Sequence, residues 1–512
     1  MKGLRRRQLA TSLALTSLAT AALWALTLGP LAHRVATRDA APAGLATRAD
    51  RSFYRAEMAA IPHLHLINYF PARNSWAKMW SDWRPQAVSL DMARIAGLHG
   101  NAVRIIINSN AFGFPEPRPN MVRELGQAVK LARSHGLRVQ LTLFDQFSRW
   151  GDITGSRAWA RSILQPYRAD PEIAFIELRN ELDTSSSPQM RWAAALMPTV
   201  HSLGRGVPVT ISVTAGLATL RRGLASSPPS FYDLHYYGEA GLAERTFATA
   251  QAAVAPALLF IGEFGFSTWT GNTSVPGLPA STLAMQAYQD YYYRTIELAT
   301  RVLGLPAAAP WTLNDLTVAG APPQPSPAQF HFGIYQLDGR PKPVAATLRR
   351  FFSAGSVSLS FNGNFTAGTS GNGLSLPDIW QRWLPAQGHF DWRLHGGYSG
   401  GGQVALSATS SGCPGFEVTP VDGFVQGGVR VAAAAFARAQ GAIGPTSVSL
   451  AWFNAHGVYM SQAESPLLKP GGGTWTRLQA SGAAPVGAAF VDVFLRSCAS
   501  AGRVWFSDVS FS

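Results

Sequence analysis

Two glutamates that follow short apolar runs are the residues of this sequence best suited to chemistry. The run Phe175–Leu178 leads to Glu181, and the run Leu258–Gly262 leads directly into Glu263. A buried parallel strand that delivers an acid to the end of a barrel has this pattern. Two such carboxyl groups can divide the work between them: one protonates a leaving oxygen, and the other attacks or activates water, as cleavage of a glycosidic bond requires.

The elements that must position these glutamates are repeated βα units. From about residue 60 the chain alternates between short apolar runs and longer segments with helical spacing, which predicts an α/β fold, a (β/α)8 barrel. The predicted strands are His63–Asn68, Ala102–Ile107, Arg138–Phe144, Ala174–Glu177, Val207–Val213, Tyr232–His235, Ala257–Ile261 and Ala308–Leu313. The predicted helices are Pro85–Leu98, Asn120–Ser134, Ser156–Tyr167, Gln189–Leu203, Ala218–Leu224, Glu239–Val254, Leu283–Val302 and Val344–Phe352.

The sequence divides into four parts. Residues 1–35 carry a basic start followed by an uncharged, mostly apolar run, which is typical of a signal peptide or an uncleaved signal anchor. Residues 36–55 are interpreted as a linker and residues 56–353 as the barrel. Residues 354–512 are rich in Gly, Ser, Thr and Ala with short alternating stretches, which predicts an all-β sandwich or jelly-roll domain.

The N-terminal part predicts export. The protein is then either secreted or anchored in the membrane with its barrel outside the cytoplasm, and both remain open. The two cysteines, Cys413 and Cys498, are both in the last part of the chain, and in an exported protein they most simply form one disulfide.

Charge argues against a nucleic-acid partner. The net charge is +14, but residues 1–50 alone contribute +5, from seven Lys/Arg less two Asp/Glu. The rest is mostly scattered arginine, and no helix-turn-helix, zinc-finger or RNA-binding signature is present. We expect no metal and no cofactor, and a monomer.

Polar and aromatic residues gather where the predicted strands end. Because these ends converge on one mouth of a barrel, we expect their side chains to meet there. They are Asn68, Tyr69, Arg104, Asp145, Asn180, Glu181, His235, Tyr237, Glu263 and Trp311. Further aromatic residues in the predicted rim loops are candidate platforms for sugar rings: Trp76, Trp80, Trp83, Trp150 and Trp269.

The order and spacing of these motifs resemble glycoside hydrolase family 5, the cellulase and mannanase family, whose retaining clan carries its two acids on strands four and seven. The matching pieces, which cover residues 60–352, are Ile67-Asn68-Tyr69-Phe70-Pro71, Val103-Arg104-Ile105, Arg179-Asn180-Glu181, Leu234-His235-Tyr236-Tyr237, Ile261-Gly262-Glu263-Phe264-Gly265, Trp311 and Gly339-Arg340-Pro341-Lys342-Pro343.

The resemblance implies Glu181 as general acid/base and Glu263 as nucleophile. The acid is expected to stay protonated near neutral pH while the nucleophile is ionised, with Arg104 and Tyr237 supporting the charge. Asn180 would hold the sugar 2-hydroxyl, His235 would line the cleft, and Trp311 would form its floor. The family usually has a histidine after strand three, where this chain has Asp145 and Gln146, so the substrate subclass stays open.

The C-terminal part resembles a carbohydrate-binding jelly roll, although a purely bracing role is as good an interpretation. Its candidate sugar contacts are Trp380, Trp383, Trp392 and Tyr398. Together these features predict an exported retaining β-glycosidase that hydrolyses a polysaccharide or oligosaccharide, with β-1,4-glucan or β-mannan as first candidates. The alternatives are a matrix protein that binds polysaccharide without cleaving it, and a transglycosylase on the same scaffold.

Overall fold

A computed structural model describes residues 47–512, apart from positions 276–277, 279, 320, 322–324, 354–361, 372–373, 410, 419–424, 455–457 and 470–472. The segment interpreted as a signal or anchor lies outside the described residues. Helix α1, Arg48–Ala60, begins inside the stretch interpreted as a linker. Within the described part of the chain, no helix has the length and apolar character needed to cross a membrane.

Short parallel strands form the wall of a barrel, as predicted. They are β1 (Leu66–Asn68), β2 (Ala102–Asn108), β3 (Arg138–Asp145), β4 (Ile173–Arg179), β5 (Val209–Thr210), β6 (Ser212–Val213), β7 (Tyr232–Tyr236) and β8 (Leu259–Phe264). Strands β1 to β5 make one parallel sheet, and β6 to β8 make another. The sequence of β2, Ala-Val-Arg-Ile-Ile-Ile-Asn, is buried at every position, as a strand covered on both faces must be.

An interrupted strand joins the two sheets on one side of the ring. The stretch predicted as the single strand Val207–Val213 is divided at Ile211, so that β5 pairs with β4 and β6 pairs with β7. A further bond from Leu182 N to Ser212 O (2.8 Å) ties the end of the β4 segment to β6. The wall is therefore continuous from β4 to β7.

The other side of the ring is closed without a regular strand. The stretch Ala308–Leu313 was predicted as a strand but does not form a regular one, because Pro310 has no N–H to donate to a ladder. Backbone hydrogen bonds still join this stretch to β8 on one side and to β1 on the other. Trp311 N donates to Phe264 O (2.7 Å), and Asn68 N donates to Pro310 O (3.1 Å).

Helices surround the barrel and agree with the predicted pattern. They are α1, α2 (Lys78–Ser81), α3 (Pro85–Gly97), α4 (Ser109–Phe112), α5 (Pro119–Ser134), α6 (Ile153–Leu164), α7 (Ser187–Gly204), α8 (Leu217–Gly223), α9 (Ala243–Val254), α10 (Thr282–Val302) and α11 (Pro343–Ser353). Short 3-10 turns occur at Ile61–His63, Gln165–Tyr167, Ala240–Leu242, Pro327–Phe330 and Pro385–Gln387.

An apolar layer fills the barrel interior near the starts of its strands. Phe175, Phe231 and Phe260 pack edge to face with ring centroids 5.0 to 6.1 Å apart, and Met58 of α1 packs against the same cluster. Dense aromatic packing of this kind makes the lower barrel a solid core. Any site therefore lies toward the opposite, C-terminal ends of the strands.

The C-terminal part is a β-sandwich, as predicted. Its strands are β9 (Gly368–Gly371), β10 (Leu374–Pro377), β11 (Gln381–Trp383), β12 (Gly388–Arg393), β13 (Gln403–Ala408), β14 (Gly415–Val418), β15 (Arg430–Gln440), β16 (Thr446–Asn454), β17 (Tyr459–Glu464), β18 (Thr476–Ala483), β19 (Ala488–Ser497) and β20 (Arg503–Phe511). One five-stranded antiparallel sheet has the order β11-β14-β19-β16-β17, and the other has the order β12-β13-β20-β15-β18.

The sandwich holds the expected disulfide and packs on the barrel. Cys413 and Cys498 are bonded, which confirms the predicted pairing. Arg245 of α9 donates to Asp492 of β19 (2.8 Å), and its guanidinium lies 4.3 Å from the centroid of the Phe453 ring. One sheet of the sandwich is therefore covered by the barrel.

Candidate active site

The two glutamates singled out in the sequence meet at the C-terminal end of the barrel. Glu263 lies on β8, one residue before its end, and Glu181 lies two residues after β4. One carboxylate oxygen of Glu181, one of Glu263 and a ring nitrogen of His235 all lie within 4.8 Å of one another. The strands thus bring together two acids that are 82 positions apart in the chain.

Backbone strain at Glu181 is held by neighbouring bonds. Its φ angle is +50°, a left-handed conformation that is uncommon for a residue with a side chain. The Glu181 N–H donates to Ser212 Oγ (2.8 Å), and the next N–H, of Leu182, donates to the Ser212 carbonyl oxygen (2.8 Å). Strand β6 therefore fixes the turn that aims Glu181 into the barrel mouth.

Three groups converge on the carboxylate of Glu263. Arg104 Nη1 donates to Oε1, Tyr237 Oη donates to Oε2 (2.6 Å), and His235 Nδ1 lies 3.4 Å from Oε2. Glu263 is almost completely buried. A carboxylate held by three such groups is fixed in place as an acceptor, which suits a nucleophile that must keep one orientation.

Glu181 and His235 are joined by a hydrogen bond that shifts the pKa of both groups. Burial alone would raise the pKa of Glu181, but its hydrogen bond from His235 Nδ1 (3.0 Å) and the nearby positive charges lower that pKa below its ordinary value. Burial likewise opposes a charge on His235, yet the Glu263 carboxylate and the bond to Glu181 raise the pKa of His235 to about 9.

The hydrogen bond from His235 opposes the expected protonation of Glu181 in the protein without substrate. It lowers the pKa of Glu181 and, together with the Glu263 carboxylate, raises the pKa of His235. The physical reason is that His235 lies closer to two carboxylates than the sequence could reveal. The proton is still within reach of Glu181, one hydrogen bond away.

Arg104 links Glu263 to the rest of the site. Its Nε donates to Glu177 Oε2 (2.8 Å), and its Nη2 donates to Asn180 Oδ1 (2.8 Å). Asn180 Nδ2 in turn lies 3.3 Å from Asp145 Oδ1. A single buried guanidinium therefore orients both Glu263 and the amide beside Glu181.

A cavity of about 620 Å³ opens above the two acids. Several of the predicted site residues line it: Asp145, Asn180, Glu181, Tyr237, Glu263 and Trp311. The expected rim residue Trp76 lines it as well. Residues that the strand-end pattern did not single out complete the wall: Phe70, Ile106, Gln146, Pro325, Ser326, Gln329 and Phe332.

Other predicted site residues lie outside this lining. Tyr69 is fully buried and its hydroxyl donates to Asp91 (3.2 Å), so it faces helix α3. Asn68 uses its amide nitrogen on the Gly262 carbonyl oxygen (2.9 Å), which braces the ring beside Glu263. Arg104 and His235 are buried and do not line the cavity, and Trp269 does not line it either.

Tyr69, predicted as a sugar contact, does not line the cavity, whereas its neighbour Phe70 does. Tyr69 and Phe70 both follow the last residue of β1. Phe332 and Gln329 come from the segment after residue 325, which has no strand-end pattern. Nothing in the sequence could therefore have identified Phe332 and Gln329, and β1 is too short for alternation to separate Phe70 from Tyr69.

Several candidate sugar platforms are packing residues instead. Trp80 is buried and stacks on Trp83 with ring centroids 5.9 Å apart. In the sandwich, Trp380 and Trp392 are buried in the core, which contradicts their proposed role as sugar contacts. Trp383, Tyr398 and Trp150 keep part of their surface in solvent, with Trp383 39% and Tyr398 51% exposed.

Comparison with known proteins gives only distant matches. No family model matches the sequence, and no curated protein matches it significantly. Among solved structures, an exo-β-1,4-mannosidase from an Opitutaceae bacterium is 19% identical over 56% of this chain, with a TM-score of 0.44, and the match spans 58% of that protein.

Two further solved structures give similar values. A GH5_18 protein from Streptomyces cattleya in complex with GlcNAc is 18% identical, covers 59% of this chain and 83% of its own, and has a TM-score of 0.48. A β-glucuronidase from Ruminococcus gnavus is 13% identical, covers 57% and 49%, and has a TM-score of 0.43. These values are too low to assign a family or an activity to this chain.

Proposed function

We propose that the protein is a retaining β-glycosidase in which Glu263 is the nucleophile and Glu181 is the general acid/base. The observation that carries this proposal is the approach of the two carboxyl groups, with one oxygen of each within 4.8 Å, at the floor of an open cavity. Retaining glycosidases hold their two carboxyl groups about 5 to 5.5 Å apart, whereas inverting enzymes need about 6.5 to 9.5 Å to admit a water.

The first half of the reaction forms a glycosyl ester. A Glu263 oxygen attacks the anomeric carbon as the bond to the leaving oxygen breaks, and Glu181 delivers a proton to that oxygen. The proton comes from His235 Nδ1, which hydrogen-bonds Glu181 in the protein without substrate. Arg104 and Tyr237 hold the attacking carboxylate in place.

The second half releases the sugar. Glu181, now ionised, takes a proton from an entering water, whose oxygen attacks the anomeric carbon and frees Glu263. Two inversions leave the original anomeric configuration. Because an acceptor sugar can replace that water, transglycosylation uses the same residues, and product analysis separates it from hydrolysis.

The cavity supports a carbohydrate substrate. Flat aromatic side chains, Phe70, Trp76, Trp311 and Phe332, stand beside polar groups such as Asn180 and Gln146. Apolar ring faces with a few placed hydrogen-bonding groups are what sugar rings require. We propose β-1,4-linked glucan or β-mannan as first substrates and, from the resemblance of the motifs, membership of glycoside hydrolase family 5. The N-terminal pattern and the disulfide support export.

The test compares the natural protein with Glu263→Gln on β-glucans, β-mannans, their oligosaccharides and aryl β-glycosides. We expect Glu263→Gln to lower kcat/KM by at least about 10³-fold, because no nucleophile remains. Glu239→Gln is the matched control, since Glu239 lies outside the cavity lining.

Product stereochemistry gives a second, independent readout. Proton NMR of the first product should show retained anomeric configuration, and a 2-deoxy-2-fluoro glycoside should leave a covalent adduct on Glu263. Equal activity of the natural protein and Glu263→Gln would show that Glu263 is not the nucleophile. Glycan binding with no turnover would instead favour a matrix protein that only holds polysaccharide.

A further inference from the structure

A group of unpaired polar atoms lies in the barrel directly beneath the two glutamates. Both carboxylate oxygens of Asp233, Nε2 of His235 and Oε1 of Gln140 are buried and have no hydrogen-bond partner among the described residues. All three side chains are fully or almost fully buried. Since most buried polar atoms in proteins are paired, such a concentration needs an explanation.

The neighbouring carboxylate of Glu177 does not satisfy these atoms, because its own bonds go elsewhere. It accepts from Ser212 (2.5 Å), Thr142 (2.5 Å), Arg104 (2.8 Å) and Gln140 Nε2 (2.9 Å). The unused hydrogen-bonding capacity in this part of the barrel is therefore on Asp233, on Nε2 of His235 and on the second amide atom of Gln140.

The spacing fits a water bridge. A carboxylate oxygen of Asp233 and a ring nitrogen of His235 lie within 4.8 Å without a direct bond. A bridging water joins polar groups at separations longer than a direct hydrogen bond, and a buried water typically makes about three hydrogen bonds. Gly262 leaves room for the carboxyl, because a Cβ at this position would lie 2.1 Å from Asp233 Oδ1.

We propose that Asp233 is a positioning residue that acts on His235 through a buried water. Nε2 of His235 donates to the water, and the water donates to the Asp233 carboxylate. The Nδ1–H is then directed upward, at Glu181 and Glu263, and the imidazole keeps the proton that Glu181 needs. This inference rests on the proposed glycosidase function.

The charges around His235 define what Asp233 contributes. The charged groups that act on the imidazole are Glu181, Glu263, Asp233, Glu177 and Arg104. Burial raises the pKa of Asp233 to about 7, which is below that of His235. When Asp233 is ionised, its negative charge favours the charged form of His235 and so helps to keep the proton on the imidazole.

The closing experiment titrates His235 by NMR in protein labelled at the histidine Cε1 carbon. The His235→Asn spectrum assigns the resonance among the 11 histidines. We expect His235 in the natural protein to stay charged well above pH 7. In Asp233→Asn its pKa should fall by about 1 to 3 units, the usual effect of a charge about 4 to 6 Å away. Glu297→Gln, another buried carboxyl, on α10, is the matched control and should leave the titration unchanged.

Activity provides a second readout that a merely structural role would not move. With Asp233→Asn, the alkaline limb of kcat/KM should shift to lower pH by the same amount as the NMR titration, with a smaller loss near pH 6. An active enzyme whose His235 titration is unchanged by Asp233→Asn would overturn the inference and leave the proposed function intact. A shifted titration in a protein that cleaves no glycoside would support the link to Asp233 and remove the proposed function.

The natural protein also tests the idea without any substitution. If His235 titrated at or below its ordinary pKa of about 6.5, the inference would fail whether or not the Asp233 variant folds. Asp233→Ala provides a third form, in which the carboxyl is replaced by space for solvent, and it should lower the pKa of His235 as Asn does.

Discussion

At the scale of single residues, the site is organised by one buried positive charge. Arg104 is fully buried and reaches Glu177, Glu263, Asn68 and Asn180 with one side chain. An isolated charge could not be buried at acceptable cost, but a guanidinium with several carboxylate and amide acceptors can. The Glu263 carboxylate is thereby held in one orientation in the protein without substrate.

The hydroxyl of Tyr237 gives a prediction at this scale. Tyr237→Phe removes the 2.6 Å bond to Glu263 Oε2 and leaves the ring in place. A hydrogen bond to a charged group contributes about 1.5 to 3 kcal/mol, so kcat/KM should fall by about 10- to 150-fold. Tyr292→Phe is the control, since its hydroxyl bonds the Gly238 carbonyl oxygen. Activity within about twofold of the natural protein would contradict the placement of Tyr237 on the nucleophile.

The residues that the sequence could identify are those at strand ends. Glu181, Glu263, Asn180 and Asp145 were found because a polar residue directly after an apolar run is easy to recognise. Tyr69 was misplaced because β1 is only three residues long, which is too short for alternation to fix its register. Protonation was also beyond the sequence, because it depends on distances between residues far apart in the chain.

At the scale of elements, hydrophobic periodicity predicted the existence of helices and strands better than it predicted their boundaries. Helix Leu283–Val302 was predicted within one residue of α10 because its apolar spacing runs for five turns. Strands β5 and β6 were predicted as one, since a break at Ile211 leaves the apolar run unchanged. The stretch around Pro310 was predicted as a regular strand and is not one. Its hydrogen bonds to β8 and β1 depend on closure of the barrel and not on its own sequence.

The disulfide gives a prediction about the sandwich. Cys413 lies just before β14 and Cys498 just after β19, and these strands pair with each other. The bond closes a loop with a sequence separation of 85 residues, so replacing both cysteines with alanine should lower the free energy of unfolding by about 4 to 5 kcal/mol. Urea denaturation measures the loss, and barrel activity in dilute buffer should be unchanged. A loss below about 1 kcal/mol would show that strand pairing alone holds the sheet ends.

At the scale of the whole molecule, the barrel and the sandwich share a buried acidic interface. Gln381 donates to Glu417 Oε2 (2.7 Å), and Arg245 donates to Asp492 Oδ2 (2.8 Å). Burial raises the pKa of Glu417 and of Glu244 well above the ordinary range, and the charge of Asp492 adds to both shifts. Arg245 supplies a positive charge to this group through its ion pair with Asp492.

Removing that cation should weaken the union of the two parts. Arg245→Met keeps most of the side-chain volume but removes the guanidinium that pairs with the buried Asp492, and breaking a buried ion pair by removing one partner typically costs about 3 to 5 kcal/mol. We expect a drop of this size in the free energy of unfolding by urea. Arg84→Met is the matched control, because Arg84 is 56% exposed and pairs with the 34% exposed Asp82 at the surface, where a pair contributes at most about 1 kcal/mol.

A double variant separates charge from packing. Asp492→Asn removes the ionised acid, so Arg245→Met combined with Asp492→Asn should recover part of the stability lost in Arg245→Met alone. The ring of Phe453, which lies 4.3 Å from the guanidinium, contacts the methionine chain in both variants. If the double variant were no more stable than Arg245→Met, the contribution of Arg245 would come from packing on Phe453, and the acidic interface would not depend on its charge.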